Sequence, residues 1–244
     1  MPPVHAARAT GVTTLTLDSP ANRNALSADL VRELRAALAT AAADPAVRAV
    51  VLTHTGTTFC AGADLKSPCD PADFLALLRE IAELPKPVVA RVTGHVRAGG
   101  LGLLGVCDIA AAGPQSTYAF TETHLGLAPA VISIPLLPRL DPRAAARYFL
   151  TAEAFDAAEA TRIGLLTLHA DDVDKALAPV LAGLRKASPQ GLAATKSLTA
   201  ASVREAVARD GARLTELSAG LFASDEAREG ITARFERRNP SWTL

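Results

Sequence analysis

Short blocks of apolar and β-branched residues punctuate the first half of the chain, and each is followed by apolar positions at helical spacing. Val12-Thr13-Thr14-Leu15-Thr16-Leu17 reads as a strand that breaks at Asp18-Ser19-Pro20. A helix then runs from Ser27 to about Ala43, because Leu30, Leu34 and Leu38 share one face and the Ser27 hydroxyl can cap the first turn. Further strands at 49–53, 87–92 and 107–112 alternate with helices at about 71–83 and 100–106. Strand and helix in this alternation predict an α/β core of stacked units with right-handed crossovers. Beyond about residue 140 the strand signals thin out, and 143–150, 157–163, 173–187 and 189–222 read as helices rich in Ala and Leu. Ser188-Pro189 marks a boundary, which divides the chain into an α/β core over 1–188 and a helical region over 189–244.

Two strand ends carry unusually bare backbone. Phe59-Cys60-Ala61-Gly62-Ala63-Asp64-Leu65-Lys66 follows the strand at 49–53, and Ala98-Gly99-Gly100-Leu101-Gly102 follows the strand at 87–92. Small residues leave peptide N–H groups open to a ligand, and such fixed donors stabilise a developing oxyanion without reorganising. Glycines within one helix cost about 1 kcal/mol each relative to Ala. Either close helix packing or close approach of a ligand accounts for them, and a helix start at Gly99 would favour negative charge there. Gly100-Leu101-Gly102-Leu103-Leu104-Gly105 also matches the G-x-G-x-x-G of dinucleotide sites. That match is set aside, because it lies beyond the first β/α unit and the strand after it ends without an acidic residue.

Composition narrows the class. The 244 residues are 49% hydrophobic and 20% charged, with 25 basic and 25 acidic side chains. Such balance argues against a broad surface for nucleic acid or anionic lipid. Cys60, Cys69 and Cys107 form no C-x-x-C pair and suggest neither a zinc site nor a disulfide framework. No apolar run approaches the ~20 residues of a membrane span, and Met1 to His5 lack the basic and apolar regions of a signal peptide, so a cytoplasmic location is expected.

Taken in order along the chain, these segments resemble the crotonase, or enoyl-CoA hydratase/isomerase, superfamily. Residues 18–27 resemble its strand-to-helix passage, 59–66 its first oxyanion motif and 94–108 its second. Tyr118-Ala119-Phe120-Thr121-Glu122, with Leu125 to Ala130 after it, resembles its acid/base segment, and Phe235 to Trp242 its C-terminal tail. The resemblance implies a crotonase fold, a ββα-type spiral core with a C-terminal helical region. It implies oxyanion N–H groups at Ala63 and Gly99 and an acid/base role for Glu122. It places the CoA grip at Ala25, Ala61, Asp64 and Leu65, with the neighbouring Gly62 and Gly100, largely through backbone. The implied partner is an acyl-CoA thioester, with CoA as part of the substrate and no metal or separate cofactor, and the implied assembly is a homotrimer or a dimer of trimers.

The main departure is Gly102, where two-glutamate hydratases of this family carry a second carboxylate. Hydration of a 2-enoyl-CoA by syn addition of water is the leading expectation. Isomerisation of an enoyl-CoA by a single glutamate is the alternative, since one carboxylate suffices to move a proton between two carbons. A non-catalytic acyl-CoA-binding or RNA-binding relative is a third, against which the retained Glu122 and the neutral charge balance weigh. His95, Arg97, Thr121, Thr123 and His124 lie near these segments, with Arg97 directly before the oxyanion motif; Arg237 and Arg238 in the tail are candidates for CoA phosphates.

Overall fold

The β-branched and apolar runs build a six-stranded sheet in the computed structural model, which describes residues 2–244. Its inner strands β2 (Val12–Leu17), β3 (Ala49–His54), β5 (Val88–Val92) and β7 (Ile109–Ala112) pair in parallel. The edges are β1 (Val4–Ala9), antiparallel to β2, and β10 (Leu168–His169), parallel to β7. All six residues of β3 are buried, as expected of a parallel strand covered on both faces.

A second sheet gathers the three-residue strands β4 (Thr58–Cys60), β6 (His95–Arg97) and β8 (Thr117–Ala119), with β9 (Phe155–Asp156) at its edge. Each turn of the chain lays one strand in each sheet before a helix returns it. β3 and β4 lead to α2 (Pro71–Glu83), and β5 and β6 lead to α3 (Gly99–Val106). This repeat is the ββα spiral that the motifs implied.

Helix α1 (Ala28–Ala43) begins as expected, with the Ser27 hydroxyl accepting from Leu30 N at 3.2 Å, and buries Leu30, Leu34 and Leu38. After α3 come α4 (Ala130–Leu136), α5 (Pro142–Thr151), α6 (Ala157–Arg162) and α7 (Val173–Lys186). The single helix expected over 189–222 breaks at Ala200 into α8 (Pro189–Thr199) and α9 (Ala201–Phe222), and α10 (Asp225–Glu236) follows. Helix α9 packs across α2 and α4, and α10 packs over the 3-10 turn Glu122–Leu125, so the C-terminal helices roof the strand ends.

Helix α8 is anchored by Lys196, which is 4% exposed. Its Nζ pairs with Asp108 Oδ2 at 2.8 Å and donates to the carbonyls of Ile81 and Lys86. The Asp108 carboxylate also accepts from Val88 N at 2.7 Å while Asp108 N donates to Val88 O at 2.9 Å, which ties the residue before β7 to the start of β5; β7 itself begins at Ile109. Among the described residues no helix is long and apolar enough to cross a membrane.

Candidate active site

The two bare segments meet. Asn24, fully buried in a left-handed conformation, accepts from Ser19 N and donates to the carbonyls of Thr55 and Thr58, which clamps the 18–27 loop beside β4. Backbone bonds then stitch that loop to the first motif: Ala61 N to Arg23 O, Leu26 N to Gly62 O and Asp64 N to Leu26 O. Ala63 N is left without an acceptor among the described residues, and so is Gly99 N at the start of α3.

These two nitrogens face one small space. A Cβ built on Gly99 would sit 3.7 Å from Ala63 N and 2.7 Å from Leu26 Cδ1. A Cβ built on Gly62, whose φ is +89°, would lie 3.3 Å from Gly99 N and 2.7 Å from the Ala98 Cβ. Ala98 itself holds φ +47° and ψ −122°, an uncommon conformation for a residue with a side chain. It is pinned there by Ala98 N donating to Ala119 O and by Leu101 N donating to Ala98 O. These two bonds fix the turn that leads into Gly99.

A cavity of about 830 Å³ opens in front of these groups, within the size range of small-molecule sites. Ala61, Ala63, Leu65, Gly99 and Glu122 line it. Ala25, Gly62, Asp64 and Gly100 are not among its lining residues. Gly62 and Gly100 permit close backbone approach, the latter against Cys60, while the Asp64 carboxylate accepts from Asn22 Nδ2, Lys66 N and Ser67 N and so shapes its own turn. Phe74, Val131 and Ile132 supply apolar wall, and α9 and α10 contribute Phe222, Ile231 and Arg234. Those last residues come from far along the chain and carry no local signal of a site.

Glu122 opens the 3-10 turn after β8 and is 8% exposed. Its backbone oxygen accepts from Leu127 N, but its side-chain Oε2 is buried without a partner. Burial penalises the anion and pushes the carboxyl pKa up from 4.5 to about 7, opposed by a smaller backbone hydrogen bond. Such a group exchanges protons near neutrality, as general acid–base chemistry requires.

The position of the missing second carboxylate is filled. A Cβ on Gly102 would lie 2.7 Å from Ile132 Cγ2 and 3.3 Å from Phe74 Cζ, both cavity-lining side chains. Arg238, a candidate for CoA phosphates, instead pairs with Glu229 at 2.7 Å and Glu236 at 2.6 Å. His95 Nδ1 lies 2.9 Å from Thr117 Oγ1, and Thr123 Oγ1 is buried without a partner.

A profile described as enoyl-CoA hydratase/isomerase matches residues 7–244. The chain belongs to this family. It is similar to an enoyl-CoA hydratase from Mycobacterium avium, 53% identical, with a TM-score of 0.92 and coverage of 99% of each chain. It is also similar to an enoyl-CoA hydratase from Shewanella pealeana, 32% identical, with a TM-score of 0.78, covering 98% of this chain and 96% of that one. A mevalonyl-coenzyme A hydratase of Aspergillus fumigatus is 30% identical over 246 residues, 93% of this chain and 90% of that protein. The fold is therefore the crotonase fold, and its relatives are hydratases of CoA thioesters.

Proposed function

We propose that this enoyl-CoA hydratase/isomerase family member adds water to a 2-enoyl-CoA thioester through an enolate held in an oxyanion hole formed by Ala63 and Gly99 N–H. One observation carries the reading: the buried Glu122 carboxyl, with its Oε2 unpartnered and its pKa near 7, lines the same cavity as two backbone N–H groups that have no acceptor among the described residues. The thioester oxygen accepts from both donors. Glu122, as carboxylate, takes a proton from water while the oxygen attacks C3, and the alkene electrons move onto the thioester oxygen. Return of the proton from Glu122 to C2 collapses the enolate and completes syn addition. Each donor contributes about 3 kcal/mol to the charged intermediate, judged from loss of comparable donors elsewhere. Ala61 and Leu65 line the groove for the pantetheine arm, with Ala25, Gly62, Asp64 and Gly100 holding its backbone in shape.

Isomerisation of a 3-enoyl-CoA is the second reading, and the packing at Gly102 favours it. Ile132 and Phe74 occupy the space from which another carboxylate would hold the water, and among the described residues Glu122 is the only buried carboxylate lining the cavity. In that reaction Glu122 takes a proton from C2 and returns it to C4, with the same oxyanion hole. No cofactor beyond the CoA of the substrate enters either route. A homotrimer or dimer of trimers in the cytoplasm completes the proposal; exposed Leu198, Phe235 and Trp242 are side chains that neighbouring subunits would cover.

Glu122→Gln tests the assignment. The substitution keeps size and removes the ionisable group, so acyl-CoA affinity should stay within a few-fold while turnover falls by ~10²–10⁴. Equal losses in both would make Glu122 structural.

A further inference from the structure

The reaction leaves Arg97 unused. This half-buried arginine lines the cavity, yet its hydrogen bonds all go to neutral acceptors: Nη1 to the carbonyls of Val96 (2.9 Å) and Thr117 (2.6 Å), and Nη2 to Thr117 Oγ1 (2.7 Å). Among the described residues no carboxylate pairs with it. A guanidinium carries five N–H donors in a planar fork. Three are engaged, which leaves Nε–H and one Nη2–H, two donors on adjacent nitrogens that suit the two oxygens of a carboxylate.

A second cation with no carboxylate partner among the described residues stands near the first. Arg234, exposed on α10, lines the same cavity, and its charge joins burial in lowering the Arg97 pKa. Two like charges beside a partly desolvated site are unfavourable unless an anion comes between them. The fold retains both, and among the described residues neither is paired with a carboxylate, although Glu122 and Asp70 line the same cavity.

The position of Arg97 selects the source of that charge. It lies two residues before Gly99, so their Cα atoms are at most about 7.6 Å apart, and the side chain turns back onto Val96 and Thr117. The guanidinium thus lines the same cavity as Ala63 and Gly99. The CoA phosphates are the whole pantetheine arm away from the sulfur, whereas the far end of a short acyl chain is close. Resting on the oxyanion assignment above, we propose that Arg97, assisted by Arg234, reads a carboxylate on the acyl group, so that the preferred substrates are thioesters of dicarboxylic acids. Phe74 and Ile132 cover the hydrocarbon and the arginines take its charged end.

The test compares glutaconyl-CoA with 2-pentenoyl-CoA, which has the same chain length and no carboxylate, in wild type, Arg97→Gln, Arg97→Lys and Arg234→Gln. The ratio of kcat/KM for the two should favour glutaconyl-CoA in wild type. Arg97→Gln should lower it by about tenfold to a hundredfold, as expected for a charge-assisted pair, with partial recovery in Arg97→Lys. An unchanged ratio would overturn the proposal. So would an equal loss for both CoA esters that disappears with the pantetheine thioesters, because that outcome assigns Arg97 to CoA phosphate. Should Arg97→Gln fail to fold, Arg234→Gln, altered on an exposed helix face, should lower the same ratio; no change there refutes the pairing. Calorimetric titration with the saturated glutaryl-CoA and pentanoyl-CoA needs no turnover. A wild type that hydrates nothing yet prefers glutaryl-CoA sinks the hydratase reading alone, and one without that preference sinks the arginine assignment.

Discussion

Glu122 links the chemistry to the stability of the fold, and replacing it by Gln separates the two. The native carboxyl has a pKa of about 7 against an ordinary 4.5. At about 1.4 kcal/mol per tenfold change in proton affinity, this shift corresponds to about 3 kcal/mol. The sign follows from which state holds the proton. Below pH 4.5 both states are protonated and the buried group is tolerated as a neutral acid. Between about 4.5 and 7 the unfolded chain has released its proton while the native state keeps it, so wild-type stability falls with rising pH; above about 7 the loss is complete. Glu122→Gln has no proton to release. Urea unfolding of both proteins at matched concentration, from pH 4.5 to pH 8.5, should therefore show the variant gaining on wild type by about 3 kcal/mol across that window. A difference independent of pH would mean that the carboxyl is solvated in the native state. Such a carboxyl would not exchange protons near neutral pH.

Gly99→Val places a side chain where a Cβ would lie 3.7 Å from Ala63 N and 2.7 Å from Leu26 Cδ1; steady-state turnover should fall by ~10²-fold or more in a variant whose circular dichroism shows it folded. A folded variant with normal turnover would refute the oxyanion assignment. Gly102→Ala should cost about 1–3 kcal/mol in thermal unfolding through its contact with Ile132, and Ile132→Ala in the same chain should recover part of that loss; additive effects would show that the two positions do not touch. Lys196→Met strands the Asp108 carboxylate and should destabilise by about 3 kcal/mol, measured by urea unfolding, and a neutral outcome would remove the ion pair as the anchor of α8.

Periodicity made the long elements legible: α1, α2 and the inner strands stand within a few residues of where their apolar spacing puts them. β1 escaped because Ala6, Ala7 and Arg8 are exposed on an edge and give no alternation. β4, β6 and β8 are three residues each, too short for any period, and only their pairing reveals the second sheet. Within the candidate site, glycine marked the two segments that meet, since a Cβ at Gly99 or Gly62 would meet its neighbours. Ala98 gave no such mark, because nothing in an alanine announces a φ of +47° that its hydrogen bonds impose. Phe222, Ile231 and Arg234 reach the cavity through the packing of α9 and α10, which no local pattern encodes. The glycines of α3 divide between two causes: Gly100, Gly102 and Gly105 admit Cys60, Ile132 and Leu136 respectively, while Gly99 borders the donor space.

The central claim is hydration at a single buried carboxylate beside two backbone donors, and product mass reads it directly. The purified protein is incubated separately with a 2-enoyl-CoA and with its 3-enoyl isomer, and both mixtures are followed by mass spectrometry and chromatography. The 2-enoyl-CoA should gain the mass of one water, and Glu122→Gln should suppress that gain by ~10²-fold or more. A wild type that leaves every mass unchanged and only shifts the alkene of the 3-enoyl-CoA would contradict hydration and establish the isomerase reading in its place.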